Sequence, residues 1–402
     1  MFILGISVAG SVFVELRFEF MGLLIHPYLL PLSILSLVAI PRLNTLPPRV
    51  FLPFLGFLAL YILSTLPARG ALGESLKILT SAGTIGATAL LVRNRAEFQA
   101  GALGLACAAA ILSYRGLSGG ADVAILGIDP IGDIANRNAF SLYALPSLLL
   151  GTFLALDRSA RPAIRILVSI CASITLIAIF STGNRSGWLG AILILLMLYS
   201  KGRRLRAVIF VAALGLISYA LLMKFSSIAA LEHRVEQTLA GYQSDRLRRV
   251  LFMTSLEVGL EFPLLGVTPQ KLPYELARRL NALAPEVDSH NTFGHIMGGS
   301  GIFTTLVFLW LGAMLWFRRK GIRPPPEGAF AHRLLRMMLV LFVVRGMFSR
   351  EILYAPSFSI GLGLCLGYCL MAGTWRPAAH AGEWRSVRLR KTERAAVPEA
   401  AP

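Results

Sequence analysis

Residues 162–206 read PAIRILVSICASITLIAIFSTGNRSGWLGAILILLMLYSKGRRLR, and this stretch decides the fold. Two apolar runs, 163–181 and 187–200, flank a short polar turn, STGNRSG at 181–187, and arginines gather at the far end of each run. Such runs are transmembrane helices, and their arginine-rich ends mark the cytoplasmic side. The turn between them then faces the opposite side. Arg185, in that turn, breaks the charge rule that the rest of the stretch obeys.

The same alternation extends in both directions. The 402 residues are 55% hydrophobic and only 15% charged, more apolar surface than a soluble chain can hide. Hydropathy divides the chain into about twelve spans, near 2–14, 20–40, 50–66, 73–92, 98–114, 138–156, 163–181, 187–200, 206–223, 301–317, 334–349 and 356–373. Basic clusters at 41–49, 92–98, 157–165, 201–206, 318–333 and 385–394 all fall on one side under strict alternation, with both termini cytoplasmic. The net charge of +18 is thus accounted for by positive-inside loops and a basic tail suited to anionic lipid, with no interleaved aromatics to favour nucleic acid. Cys107, Cys171, Cys365 and Cys369 sit inside apolar runs as small hydrophobes, without a disulfide or metal pattern. The N-terminus lacks a basic n-region and reads as a retained first helix.

The expected fold is therefore an all-α polytopic membrane protein. Its parts are spans one to nine over 1–223, a long loop over 224–300, three further spans over 301–375 and a basic tail over 376–402. The outward side receives 66–75, 113–138, 181–187, the long loop and 349–357. Helical periodicity in the loop aligns Ile228, Leu231, Val235 and Leu239, and separately Leu272, Leu276, Leu280 and Leu283, as surface helices.

Chemistry-bearing residues stand out on this outward side. Arg137 beside Asn138, Arg185 in STGNRSG, and Arg246, Arg248 and Arg249 in SDRLRRVLF lie at or near span ends. Charge at membrane depth is paired or faces a cavity, and the planar guanidinium suits phosphate oxygens. The plainer reading, snorkelling to lipid headgroups, weakens when three separate loops repeat the pattern. Consecutive arginines at 246–249 cannot all face one site, so at least one is a solvated face. His290, followed by Asn291, and His295 stand where the long loop turns apolar. On one helix they would lie about 140° apart, which argues against a two-histidine metal site. A lone histidine there is either a structural hydrogen-bonder or a general base. Glu15 with Glu19, and Asp122, Asp129 and Asp133, make no convincing metal site.

Four segments give a resemblance. NRNAFSLYALPSLLL (136–150), STGNRSGWLGAILIL (181–195), SDRLRRVLFMTSLEVGLEFPLLGV (244–267) and HNTFGHIMGGSGIF (290–303) resemble, in order and spacing, segments of the O-antigen ligase family of membrane glycosyltransferases. The resemblance implies a GT-C-like fold with a long periplasmic loop, in the bacterial inner membrane. It implies that His290 is catalytic and that Arg137, Asn138, Arg185, Asn291 and the arginines at 246–249 bind substrate, with spacing favouring Arg248 over Arg246. The implied donor is an O-antigen chain on undecaprenyl diphosphate, and the implied acceptor is a sugar hydroxyl of lipid A–core, with no cofactor or metal and with inversion at the anomeric carbon. This chain departs from the family at two positions: Gly299 stands where a glutamate is common, and Thr268 where a second glycine follows PLLGV. Two other functions are weighed. An O-antigen polymerase would share the donor but accept on a second polyprenyl-linked glycan. A lipid-linked sugar transporter would need polar mid-span residues and paired half-helices, whereas these spans read as largely apolar.

Overall fold

The computed structural model describes residues 1–10, 18–20, 23–25, 29–39, 42, 48–67, 71–118, 137–181, 184–199, 242–282, 287–317 and 326–374. Their helices are α1 Phe2–Gly10, α2 Leu29–Ala39, α3 Pro48–Thr65, α4 Ala71–Leu91, α5 Arg95–Ser118, α6 Arg137–Leu156, α7 Pro162–Ser181, α8 Arg185–Tyr199, α9 Tyr242–Glu261, α10 Leu272–Arg279, α11 Thr292–Trp316, α12 Pro326–Gly346 and α13 Pro356–Met371. A 3-10 turn, Arg350–Leu353, links α12 to α13. The chain is an all-α polytopic membrane protein. Arg95–Arg115, Pro162–Phe180 and Thr292–Trp316 are long and apolar enough to cross a membrane, and Val50–Thr65, Phe140–Leu156, Ser186–Leu198 and Pro356–Met371 are shorter apolar helices.

Most expected spans coincide with helices, and three differ in their bounds, the one read over 334–349 starting already at Pro326. The span read over 20–40 is helical from Leu29 onward, preceded by a small antiparallel ladder of β1 Phe18–Phe20 and β2 Leu23–Ile25, with Phe18 opposite Ile25. Aromatic and β-branched residues favour that conformation. The span read from 301 belongs to a helix that starts at Thr292, inside the segment assigned to the loop. Hydropathy misses its first turns because Thr292, Gly294, His295 and Ser300 are buried against protein, where small and polar residues pack well. The 206–223 span, the 228–239 periodicity, Leu283 and the tail lie outside the described residues.

Small residues bring the helices close. A Cβ on Gly104 of α5 would lie 2.4 Å from the Phe2 carbonyl oxygen of α1, so the two backbones touch where a side chain would separate them. α5 also packs on α6 and α7, and α13 fits between α4, α6 and α12, with Tyr368 stacked on Phe98 at 4.4 Å. Faces turned away from this core stay apolar: Ile166 and Ile170 of α7, and Phe303, Leu306 and Trp310 of α11, are exposed as lipid would require.

Polar contacts gather at the two ends of the bundle. At one end Arg95 binds Asp157 at 2.7 Å and approaches Glu327 at 3.9 Å, joining three of the segments read as positive-inside. Burial alone would raise the Asp157 carboxyl, but bonds from the Ser159 amide, Arg95, the Ser159 hydroxyl and Gln99 outweigh it and hold it below its usual range. Arg336 donates to the Trp316 carbonyl at 3.0 Å at the same end. The opposite end collects Glu74, Ser186, Asp288 and Tyr354, from segments that alternation places together on the outward side, with Arg345 from the last turn of α12.

Candidate active site

His290 lies just ahead of α11 with φ +49, the left-handed conformation that histidine, asparagine and aspartate adopt more readily than most residues. This conformation leaves the imidazole 48% exposed while the next residues turn inward. Asn291 caps α11: its side-chain oxygen accepts from the Phe293 and Gly294 amides at 2.8 and 3.0 Å. Its amide nitrogen donates to the Met347 carbonyl at 3.2 Å, and Thr292 Oγ1 donates to the Ser349 carbonyl at 2.8 Å. Asn291 therefore caps the helix start and ties it to the end of α12.

A carboxylate stands beside His290. Asp288 Oδ1 accepts the His290 backbone N–H at 3.3 Å, and Oδ2 lies 3.9 Å from His290 Nδ1. Arg350, from the 3-10 turn, places Nε 3.2 Å from Asp288 Oδ1. The glutamate common in similar chains nine residues further on has no room here, since a Cβ on Gly299 would lie 2.9 Å from Pro269 Cα. Asp288 is the carboxylate next to the imidazole. Nearby, Glu74 accepts from Tyr354 at 3.0 Å and from Lys77 at 2.8 Å, and the Tyr354 hydroxyl meets that of Tyr61 at 2.5 Å. Burial first, then the neighbouring Tyr61 and Glu74, hold the Tyr354 phenol well above its ordinary range, so it stays a neutral donor. His295 is buried, and neither ring nitrogen has a partner among the described residues.

The arginines read from sequence come from three helices. Arg137 is the first residue of α6 and Arg185 the first of α8. Asn184 ties these two starts together by donating to Ser141 Oγ of α6 at 3.0 Å, and it accepts from the Ser186 amide and hydroxyl at 3.1 and 2.7 Å. Two adjacent helix N-termini present the positive ends of two dipoles, an arrangement suited to anions. Asn138 follows Arg137 in the first turn of α6. On α9, Arg246 and Arg249 are exposed, whereas Arg248 is half-buried and bears electrostatically on Arg345. Among the described residues, no three His, Cys, Asp or Glu side chains group as a cation site.

Two arginines escaped the sequence reading. Arg345, in the last turn of α12, is fully buried and donates to Ser186 Oγ. Arg350 holds Asp288. The criterion that singled out Arg137 and Arg185, an arginine beside a span on the outward side, applies equally to Arg350, whereas Arg345 falls inside the span read over 334–349. The outward halves of the spans are also more polar than read, with Ser64 bonded to Ser300 at 2.9 Å and Ser81 to Ser359 at 2.7 Å. Grouping of these hydroxyls, each unremarkable in sequence, is visible only once the helices are packed.

The predicted surface helix over Leu272, Leu276 and Leu280 is α10. Leu272 and Leu276 are buried with Leu251 and Val258 of α9, with Leu280 packed alongside. Bonds from Arg278, then Arg279, hold Glu275 down to about 2 against the opposing effect of its desolvation. Arg279 reaches back to Glu261 of α9. Below this end, an apolar cleft of about 850 Å³ runs between α3, α4, α11, α12 and α13, walled by Phe54, Phe57, Phe308 and Phe342 and rimmed by Phe293 and Ile352. Comparison with protein families matches residues 170–309 to the family described as O-Antigen ligase. Comparison with curated proteins gives no match.

Proposed function

We propose, from the match of residues 170–309 to the O-antigen ligase family, that this chain transfers a polysaccharide from a polyprenyl diphosphate to a sugar hydroxyl of lipid A–core. The family supports glycosyltransferase-type activity in O-antigen assembly, as ligase or polymerase. The observation that carries the finer reading is one end of the bundle. An exposed histidine beside a carboxylate shares that end with two tied helix starts that begin with arginine.

In this reading His290 takes the proton from the acceptor hydroxyl as its oxygen attacks the anomeric carbon. The bond from that carbon to the diphosphate oxygen breaks, and the diphosphate leaves with the electron pair. Attack from the face opposite the leaving group inverts the anomeric configuration. Arg137, Arg185 and Arg248, with Asn138 in the first turn of α6, hold the diphosphate and match the charge that develops on it. Charge matching by guanidinium makes this step metal-independent in our reading. Arg246 and Arg249, both exposed, draw the anionic lipids toward the site. Asp288 keeps the His290 ring oriented, and Arg350 and Asn291 hold Asp288 and His290 in place. Both substrates are lipids, so they approach within the membrane, and the apolar cleft offers room for a chain beside the site. The site faces the periplasm of the inner membrane, with the Arg95–Asp157 end cytoplasmic.

Purified protein incubated with lipid-linked O-antigen and rough lipopolysaccharide tests the acceptor. The reading predicts a ladder of extended lipopolysaccharide. Longer chains on the lipid carrier with unmodified lipopolysaccharide would make the protein a polymerase.

A further inference from the structure

Arg345 is the largest fully buried side chain among the described residues, and it lies in a helix of a membrane protein. Taking a guanidinium out of water carries a desolvation cost that an apolar side chain of similar size avoids, so packing alone does not explain one there. Ionisable residues at membrane depth mark function more often than architecture. Arg345 donates through Nη1 to Ser186 Oγ, the Ser186 hydroxyl donates to Asn184 Oδ1, and Asn184 Nδ2 donates to Ser141 Oγ. This chain of bonds crosses from α12 to α8 to α6. Ser186 follows Arg185 directly, and Ser141 lies one turn after Arg137 on the same face of α6.

We infer that Arg345 is a positioning residue for the diphosphate of the donor, fixing the starts of α6 and α8 so that Arg137 and Arg185 address one ligand. The inference rests on the proposed function. A second observation points the same way. The electrostatic neighbours of Arg345 include Glu351, of opposite sign, and Arg248, of the same sign. Guanidinium groups from α9 and α12 are thus brought within range of one another at low dielectric. Glu351 offsets part of that like-charge repulsion, and a multivalent anion held between the two guanidinium groups would offset the remainder.

The experiment uses full-length protein in nanodiscs. It compares binding of undecaprenyl diphosphate with that of undecaprenyl monophosphate, together with KM for the lipid-linked glycan and for rough lipopolysaccharide. Arg345→Met should weaken diphosphate binding by about tenfold and raise the donor KM to match, with the acceptor KM within about twofold of the parent. Ser186→Ala should move the donor terms the same way by about threefold. Arg345→Lys should recover part of the loss, because it keeps the charge without the planar fork. Arg336→Met, on the same helix at the opposite end, should leave all four quantities unchanged. Diphosphate affinity equal to the parent in folded Arg345→Met would overturn the inference. Should that variant fail to fold, equal affinity in both Arg345→Lys and Ser186→Ala overturns it. A parent that neither binds undecaprenyl diphosphate nor uses the donor removes the functional reading beneath it, whereas an active parent beside an indifferent Arg345→Met removes the inference alone.

Discussion

His290 takes a backbone turn at φ +49, and the Asp288 carboxylate two residues before it accepts its backbone N–H and stands 3.9 Å from Nδ1. The histidine and the asparagine after it were legible in sequence, because imidazole at the edge of an apolar run is unusual. Asp288 was passed over although it belongs to the same short stretch, since the resemblance directs attention to a carboxylate nine residues further on. Arg350 is harder still to anticipate, being brought to Asp288 across sixty intervening residues by the packing of α11 against α12 and its 3-10 turn. Asp288→Asn keeps an oxygen for the His290 backbone N–H but removes the charge facing Nδ1 and Arg350. Transfer should fall about tenfold with donor KM unchanged, because orientation of the base is impaired while diphosphate binding is not. A parallel rise in donor KM, measured by initial rates, would assign Asp288 to donor binding.

At the scale of elements, the informative feature is the break in α11. Gly301 sits at φ +83 inside the helix, and the freed groups pair with the turn that ends α9: Ile302 N–H donates to Pro263 O at 2.9 Å, and Val267 N–H to Gly298 O at 3.0 Å. Gly266, at φ +64, would bring a Cβ to 2.4 Å from the Gly299 carbonyl carbon. The PLLGV and GGSG stretches are therefore two halves of one joint. Hydropathy could not show this, since it registers only the lipid-facing part of α11. Thr268, where similar chains carry glycine, has φ +79, a strained conformation for a β-branched residue. Its hydroxyl accepts the Lys271 amide at a long 3.3 Å, a small compensation. Thr268→Gly should stabilise the protein by about 1 kcal/mol, the relief of strain exceeding the lost bond. A later unfolding midpoint by intrinsic fluorescence in detergent is the expected result. An earlier midpoint would mean that the buried Thr268 methyl and hydroxyl outweigh the strain.

For the whole molecule, alternation of apolar runs and basic clusters predicted which segments meet. Arg95, Asp157 and Glu327, from loops far apart in sequence, come together at one end, and Glu74, Ser186, Asp288, Arg345 and Tyr354 at the other. That much was legible because charge asymmetry across a membrane is written directly into composition. The arrangement of helices within the bundle was not, since it depends on where small residues let backbones touch, as at Gly104. The same packing joins the starts of α6 and α8, which sequence could present only as two separate arginine motifs. The account's central claim is that His290 is the base in a transfer whose charge is matched by arginine. The most direct test is transfer of lipid-linked O-antigen to rough lipopolysaccharide by purified protein in excess EDTA, with His290→Ala beside the parent. The account predicts full laddering by the parent and a loss of about a hundredfold or more in the variant. Undiminished laddering by folded His290→Ala, or a parent silenced by EDTA and restored by a divalent cation, would contradict it.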